Sequence, residues 1–314
     1  MREIAWERYR EKYRDRTEEP EGTFRLTEAE RADYALPRRD LLGHKYSFGR
    51  ALVIAGSRGY SGAPVLAANA CERSGAGLTR LLVPESIYTI AALGCDGAVV
   101  TPLPADAQGG FSAAALPAVR EALKKAGSCV IGPGLGLGKG AEALVRTVLR
   151  EAACPLVLDA DALTLCAKEP GLLDGCRAPR ILTPHAGEFG RLGGELSRGR
   201  LAGALRFTAA HPGLILVLKG YGSLICREGE ACVNPSGGPA MAKGGAGDVL
   251  CGSLCALLAQ GMEPWFAARC AVYLHGLAGD LAAAELGEYS LAPSDLIRFL
   301  PAAFRTATEK ERSD

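Results

Sequence analysis

The run Gly244-Gly245-Ala246-Gly247-Asp248 has the residue types and spacing for chemistry on a phosphate group. Glycines leave backbone N–H groups accessible, and the apolar stretch Val249-Leu250-Cys251-Gly252-Ser253-Leu254 that follows reads as a helix. The N-terminus of that helix adds the positive end of its dipole, and the combination cradles phosphate oxygens. Asp248, in the first turn, is placed to accept a proton from a hydroxyl or to hold a magnesium ion. The plainer alternative is an ordinary N-terminal helix residue, since aspartate is common there. What else converges on the loop weighs between the two.

Other polar, glycine-bearing segments each follow an apolar run: Gly56-Ser57-Arg58-Gly59-Tyr60-Ser61-Gly62-Ala63, Gly132-Pro133-Gly134-Leu135-Gly136, Asp159-Ala160-Asp161, Thr183-Pro184-His185-Ala186-Gly187-Glu188 and Lys219-Gly220-Tyr221-Gly222-Ser223. If the runs are parallel strands, these loops share the carboxyl edge of one sheet, where ligands of open α/β sheets bind. They shift the balance at Asp248 towards function. Two common phosphate motifs fail. A Walker A loop ending at Gly138-Lys139 would need glycine at Pro133 and a hydroxyl residue at Gly140. A dinucleotide fingerprint starting at Gly132 would need glycine at Leu137.

The elements that must position these loops are legible from about Arg50 onward. Short aliphatic and β-branched runs lie at 51–55, 78–83, 98–103, 129–131, 156–158, 180–182 and 214–218. Alanine- and leucine-rich stretches with helical spacing separate most of them, at 64–73, 113–126 and 141–153. Strands that read as continuous apolar runs, alternating with helices, predict a parallel sheet covered on both faces. Residues 223–227 and 230–234, joined through Glu228-Gly229, predict a hairpin. Helices are predicted at 247–260, 264–285 and 292–306. With no linker and no internal repeat, the fold class is α/β: one doubly wound, mainly parallel sheet flanked by helices on both faces. Residues 1–36 read as an N-terminal helical appendage, 37–306 as the domain and 307–314 as a tail. Within the appendage, Trp6, Tyr9 and Tyr13 share one helical face, suited to packing on the domain or on a neighbouring subunit. Thr27 followed by Glu30 predicts a capping box opening a second helix that ends before Pro37.

Bulk properties exclude several classes. A formal net charge of +1 over 314 residues advertises neither a nucleic-acid groove nor an acidic surface. At 48% hydrophobic and 23% charged, the composition supplies ample material for a core. The 11 cysteines are irregularly spaced, contain no Cys-x-x-Cys pair and sit largely in apolar runs. They read as free thiols in a reducing cytoplasm rather than a disulfide or zinc framework. The first residues, Met1-Arg2-Glu3-Ile4, lack the apolar stretch of a signal peptide, and no membrane span is predicted.

Gly245-Ala246-Gly247-Asp248 resembles the Gly-x-Gly-Asp signature of ribokinase-like enzymes. The wider pattern is similar to one branch of that superfamily, the ADP/ATP-dependent NAD(P)H-hydrate dehydratases. It comprises His44-Lys45, Phe48-Gly49-Arg50, Gly56-Ser57, Gly62-Ala63, Ser74-Gly75-Ala76-Gly77, Gly132 to Gly136 and Asp159 to Leu163. Thr183-Pro184-His185-x-Gly187-Glu188, Lys219-Gly220, Gly238 to Ala242 and Gly244 to Gly252 complete the series. The segments run in order over roughly residues 37 to 302. Each is weak alone, whereas the ordered set is specific.

The resemblance implies a hydro-lyase that restores NADH or NADPH from its hydrated S-epimer, consuming ADP or ATP with Mg2+. By motif, Ala63, Gly134, Gly136, His185 and Asp248 would contact the hydrated dinucleotide. Lys219, Gly220, Tyr221, Gly222, Ser223 and Gly247 would hold the adenine nucleotide. Gly245, Ala246 and Gly247 would form the anion hole, and Asp248 would be the base; no side chain is assigned to a resident metal. His185 could instead be a loop residue bonded to backbone. Glu188 is expected to cap a helix, and of Asp159 and Asp161 one is expected to support the nucleotide site and the other to cap a helix. Asn234 and Gly237-Gly238 are expected to shape the nucleotide approach; His275 and Asp280 read as structural. Serine stands at position 223 where the family usually has threonine, with the hydroxyl retained. The epimerase domain frequent in the family does not fit in residues 1–36, so a separate epimerase is expected as partner, along with homo-oligomerisation. The alternative within the superfamily is a small-molecule kinase, such as one for a thiamine precursor.

Overall fold

A computed structural model of the chain describes residues 2–15, 19–20, 22–30, 36, 39–169 and 171–308. Its strands are β1 (Arg2–Glu3), β2 (Arg25–Glu28), β3 (Arg50–Ile54), β4 (Leu78–Pro84), β5 (Val99–Leu103), β6 (Ser128–Ile131), β7 (Leu156–Leu158), β8 (Arg180–Leu182), β9 (Leu214–Leu218), β10 (Leu224–Arg227) and β11 (Glu230–Val233). They form one sheet in the order β1-β2-β11-β10-β9-β8-β7-β6-β3-β4-β5. The stretch from β5 to β9 is parallel throughout. Strand order reverses between β3 and β6, which puts the topological switch point between the Gly56 and Gly132 loops. The predicted hairpin is present as β10 and β11, antiparallel to each other and, through β10, to β9.

The apolar strands face two cores. Leu52 and Ile54 of β3 point into a core with Leu144, Val148 and Phe189, while Ala51 and Val53 meet Val249, Leu254 and Ala268 on the other side. That alternation, with both faces apolar, makes the run continuous in sequence. Helix Ala246–Ala259 lies on the second face against Gly62–Arg73, Pro264–Leu286 and Pro293–Thr308. Its Gly252 sits against the backbone carbonyl of Ala67, so the two helices meet with no side chain between them. The C-terminal helix runs to residue 308, two residues past the predicted boundary, and residues 309–314 lie outside the described residues.

The N-terminal segment corrects one expectation. Residues 25–28 are strand β2, not the start of a helix, and pair in parallel with β11 and antiparallel with β1. Thr27 does not cap; buried, it donates its hydroxyl to the Ala231 carbonyl at 3.3 Å. The local Thr-x-x-Glu signal lost to ladder bonds and burial against a strand more than two hundred residues away. The rest of that predicted helix, 31–35, lies outside the described residues. The appendage is thus strand, helix and strand, joined to the sheet. The helix over Trp6–Tyr13 is present, and its aromatic stripe packs within the chain, with Tyr9 wholly buried.

Candidate functional site

Gly245 is the N-cap of helix Ala246–Ala259, at φ 99° in the left-handed region that glycine enters without strain. The Gly245 carbonyl accepts from the amides of Asp248 (3.1 Å) and Val249 (3.2 Å). The Ala246 amide donates a longer bond, 3.3 Å, to the Lys243 carbonyl. The first turn is therefore tight, with Gly247 and Asp248 turned towards the end of β7. A β-carbon on Gly247 would stand 3.2 Å from Lys219 Nζ and 3.5 Å from an Asp159 carboxylate oxygen. Gly247 thus lies against the charges beneath the loop.

Those charges form a compact network. Lys219 Nζ lies 2.7 Å from Asp159 Oδ1 and 3.9 Å from Glu188 Oε2, and both carboxylates are buried. Burial pushes the Lys219 ammonium's pKa down, but Asp159 and Glu188 outweigh it, and the net direction is up. Asp248 goes the other way for a carboxylate: its pKa rises to about 7. Burial is the main cause, and Asp159, Asp161 and Glu188 add repulsion that Lys219 only partly offsets. A carboxyl group poised near neutrality is suited to proton transfer.

Each remaining predicted residue has a definite place. The two glycine loops at the switch point are stitched by Gly56 N to Pro133 O (2.9 Å) and by Ser57 Oγ to Gly134 O (2.8 Å). A β-carbon on Gly134 would stand 3.2 Å from that of Ala63. Asp161 Oδ2 accepts the Gly136 amide at 2.8 Å, tying this loop to the Asp159 strand end. Asp161 thus holds the glycine loop and caps no helix, which corrects the pairing of roles expected for it and Asp159. His185 and Glu188 form a reciprocal capping box on helix Ala186–Arg191. His185 Nδ1 accepts from the amides of Gly187 and Glu188, which leaves its proton on Nε2, and Glu188 Oε2 accepts the His185 amide at 2.8 Å. The capping role expected of Glu188 is the one observed. In the lysine loop, Ser223 Oγ donates to the Gly220 carbonyl at 2.9 Å, closing residues 220–223 on themselves. The Tyr221 ring is largely exposed.

Asn234 and Gly237 are tied to their neighbours: Asn234 Nδ2 donates to the Ser236 carbonyl at 3.0 Å, and the Gly237 amide donates to Asp280 at 3.0 Å. Sequence reasoning missed one contributor, Arg200, and read another neighbour, His275, as structural. His275 is buried against the Ala246 backbone, and burial lowers its pKa to about 4, so it stays neutral beside the glycine loop, in keeping with a structural role. Arg200 donates to the carbonyls of Leu218, Tyr221 and Gly222. Neither has a local sequence signal; each reaches the site from a helix whose pattern reports only packing.

Among the described residues, no group of three His, Cys, Asp or Glu side chains is arranged to hold a metal ion. The donors also have other partners: Asp159 is bound to Lys219, Asp161 to Gly136 and Glu188 to His185. No helix among the described residues is long and apolar enough to cross a membrane.

Known proteins resemble this chain over most of its length. The family model for NAD(P)H-hydrate dehydratase matches residues 51–302. A bifunctional NAD(P)H-hydrate repair enzyme of Moorella thermoacetica is 39% identical over 280 residues, covering 88% of this chain and 53% of that protein. The chain spans about half the length of the curated relatives it matches. Among solved structures, a ribokinase-like protein of Enterococcus faecalis superposes with a TM-score of 0.79 at 29% identity, covering 90% of this chain and 97% of that one. The ADP/ATP-dependent NAD(P)H-hydrate dehydratase of Bacillus subtilis, co-crystallised with ATP and Mg2+, gives a TM-score of 0.75 at 31% identity, covering 88% and 96%. With most of its length matched by the family model and the ribokinase-like architecture in place, the chain belongs to the NAD(P)H-hydrate dehydratase family.

Proposed function

We propose that this chain dehydrates the S-epimer of hydrated NADH and NADPH at the expense of ADP or ATP, with Asp248 as the base. The observation that carries the reading is the Asp248 carboxyl, held near pKa 7 in the first turn of a glycine-opened helix and flanked by Lys219 and Asp159. Asp248 takes the proton of the C6 hydroxyl as its oxygen forms a bond to the terminal phosphorus of the nucleotide. The bond from that phosphorus to the bridging oxygen breaks, and the shortened nucleotide leaves. Amides of Gly245 and Gly247, joined by that of Ala246 as it gives up its long bond to the Lys243 carbonyl, stabilise charge on the transferring phosphoryl group. The ring nitrogen lone pair then expels phosphate from C6, a proton leaves C5, and the dihydronicotinamide is restored.

The placement of the remaining residues supports the division of labour. Ala63, Gly134, Gly136 and His185 would border the dinucleotide, and 219–223 with Gly247 the adenine nucleotide. Magnesium would accompany the nucleotide as a ligand of its phosphates, since Asp159, Asp161 and Glu188 already have partners within the chain. Free cysteines, most of them buried, suit a cytoplasmic setting. An epimerase activity acting on the other epimer would complement this reaction. We also expect a homo-oligomer, which sedimentation measures directly.

Incubation with hydrated NADH and either ADP or ATP should restore the dihydronicotinamide absorbance, and comparing the two nucleotides identifies the donor. No restoration with either overturns the reading. The family match over residues 51–302 favours this reaction over a small-molecule kinase. A phosphorylated thiamine precursor formed in place of restored NADH would reverse that preference.

A further inference from the structure

The loop 219–223 is held from outside by parts of the chain far away in sequence. Gly222 stands at φ +58°, and a β-carbon there would strike the ring of Tyr13, the last residue of helix Trp6–Tyr13. The Tyr13 and Tyr221 rings lie 5.8 Å apart. Tyr13 donates its hydroxyl to Glu28 of β2, and the same carboxylate receives Lys12 at 2.6 Å and Arg2 at 2.8 Å. The buried ring is thus fixed from both sides of the N-terminal segment. From the other flank, Arg200 reaches the Leu218 carbonyl at 3.3 Å, the Gly222 carbonyl at 3.4 Å and the Tyr221 carbonyl. The two flanks are joined: Asp15 accepts from the Leu201 amide at 3.2 Å and from the Tyr9 hydroxyl at 3.1 Å.

A loop with glycines at 220 and 222 has many conformations to lose when it orders around a ligand. A guanidinium fork across three carbonyls and a ring filling the space over Gly222 remove that freedom before any ligand arrives. We propose that the N-terminal helix and Arg200 form a clamp that presets loop 219–223 to receive the nucleotide, making Tyr13 and Arg200 positioning residues for it. The inference rests on reading that loop as the nucleotide site. Tyr13 itself is buried and acts only through the loop.

The test uses the full chain with Tyr13→Ala, Tyr13→Phe and Arg200→Met. It measures equilibrium binding of ADP and of ATP with Mg2+, steady-state kinetics, and amide exchange across 219–223. If the receptive population of the loop falls to about a tenth, Kd for nucleotide rises about tenfold. Nucleotide KM should rise in parallel, with kcat at saturation changing by less than about twofold, because the loop is restored once ligand is bound. Loop amides exchange faster in Tyr13→Ala and Arg200→Met, and Tyr13→Phe, which keeps the ring, recovers most of the affinity. Should Tyr13→Ala not fold, Arg200→Met carries the same test. A folded variant with unchanged Kd and unchanged loop exchange overturns the clamp. A wild-type chain that binds neither nucleotide overturns the reading of the loop as a nucleotide site; exchange in Arg200→Met then decides the clamp alone, and no acceleration there refutes it.

Discussion

Lys219 Nζ and Asp159 Oδ1, sixty residues apart in sequence, meet at 2.7 Å directly beneath Gly247. The pair connects the end of β9 to the end of β7 and sets the field in which Asp248 titrates.

Removing one partner leaves the other poorly compensated. In Asp159→Asn the Lys219 ammonium keeps only Glu188, at 3.9 Å, with its side chain 21% exposed. Breaking a buried pair in this way costs about 3 kcal/mol. The urea midpoint should fall accordingly, and Asp159→Asn combined with Lys219→Met should recover part of the loss. An unchanged midpoint in the single variant would show that the pair contributes nothing to stability.

Asp248→Asn keeps the shape of the first turn and removes the proton acceptor. Turnover should drop about a thousandfold, within the usual range for loss of a general base, while ADP affinity stays close to wild type. In the wild type, kcat/KM should rise with pH through about 7, where the free carboxyl ionises. A flat profile across that interval would remove Asp248 from the role.

The same shift makes a prediction about stability. The Asp248 pKa moves from its ordinary 3.8 up to about 7 on folding, so the folded state favours the protonated form. Its stabilising contribution is fully present below the unfolded pKa and is lost as pH rises through the folded one. Asp248→Asn, which cannot ionise, should therefore melt above wild type at pH 8, with the gap closing as pH is lowered towards 4. Thermal melts across that range measure it, and a gap that widens on acidification would contradict the assigned direction.

Gly252→Ala tests how closely the Asp248 helix must approach its neighbour. The new methyl would strike the Ala67 backbone, and the Gly252 carbonyl also accepts from Cys71 Sγ at 3.1 Å. Overpacking should cost about 2 kcal/mol, and the gain in helix propensity of about 1 kcal/mol offsets only part of it. Calorimetry should show a lower Tm; a higher one would mean the helices can separate without penalty.

How much of this was legible in the sequence varies by element. Strands β3 to β9 lie within a residue or two of their apolar runs, because strands buried on both faces have little freedom in composition. The loop 244–248 was readable because glycine, aspartate and an apolar helix are contiguous. Strand β2 was not: Thr27 and Glu30 carry a local helix signal, whereas the pairing with β11 leaves no trace within a short window. Asp161 shows the same limit, since its bond to the Gly136 amide spans 25 residues.

The sequence by itself determined strands β3 to β9 and which loops carry polar groups, because periodicity, glycine and capping chemistry act over a few residues. Only the tertiary structure decided that Asp248 sits near neutrality, that Lys219 is held by Asp159, and that Tyr13 and Arg200 converge on Gly222. Those outcomes depend on burial and on distances of a few ångströms between segments far apart in the chain. Both come into being only when the parallel sheet brings the strand ends to one edge.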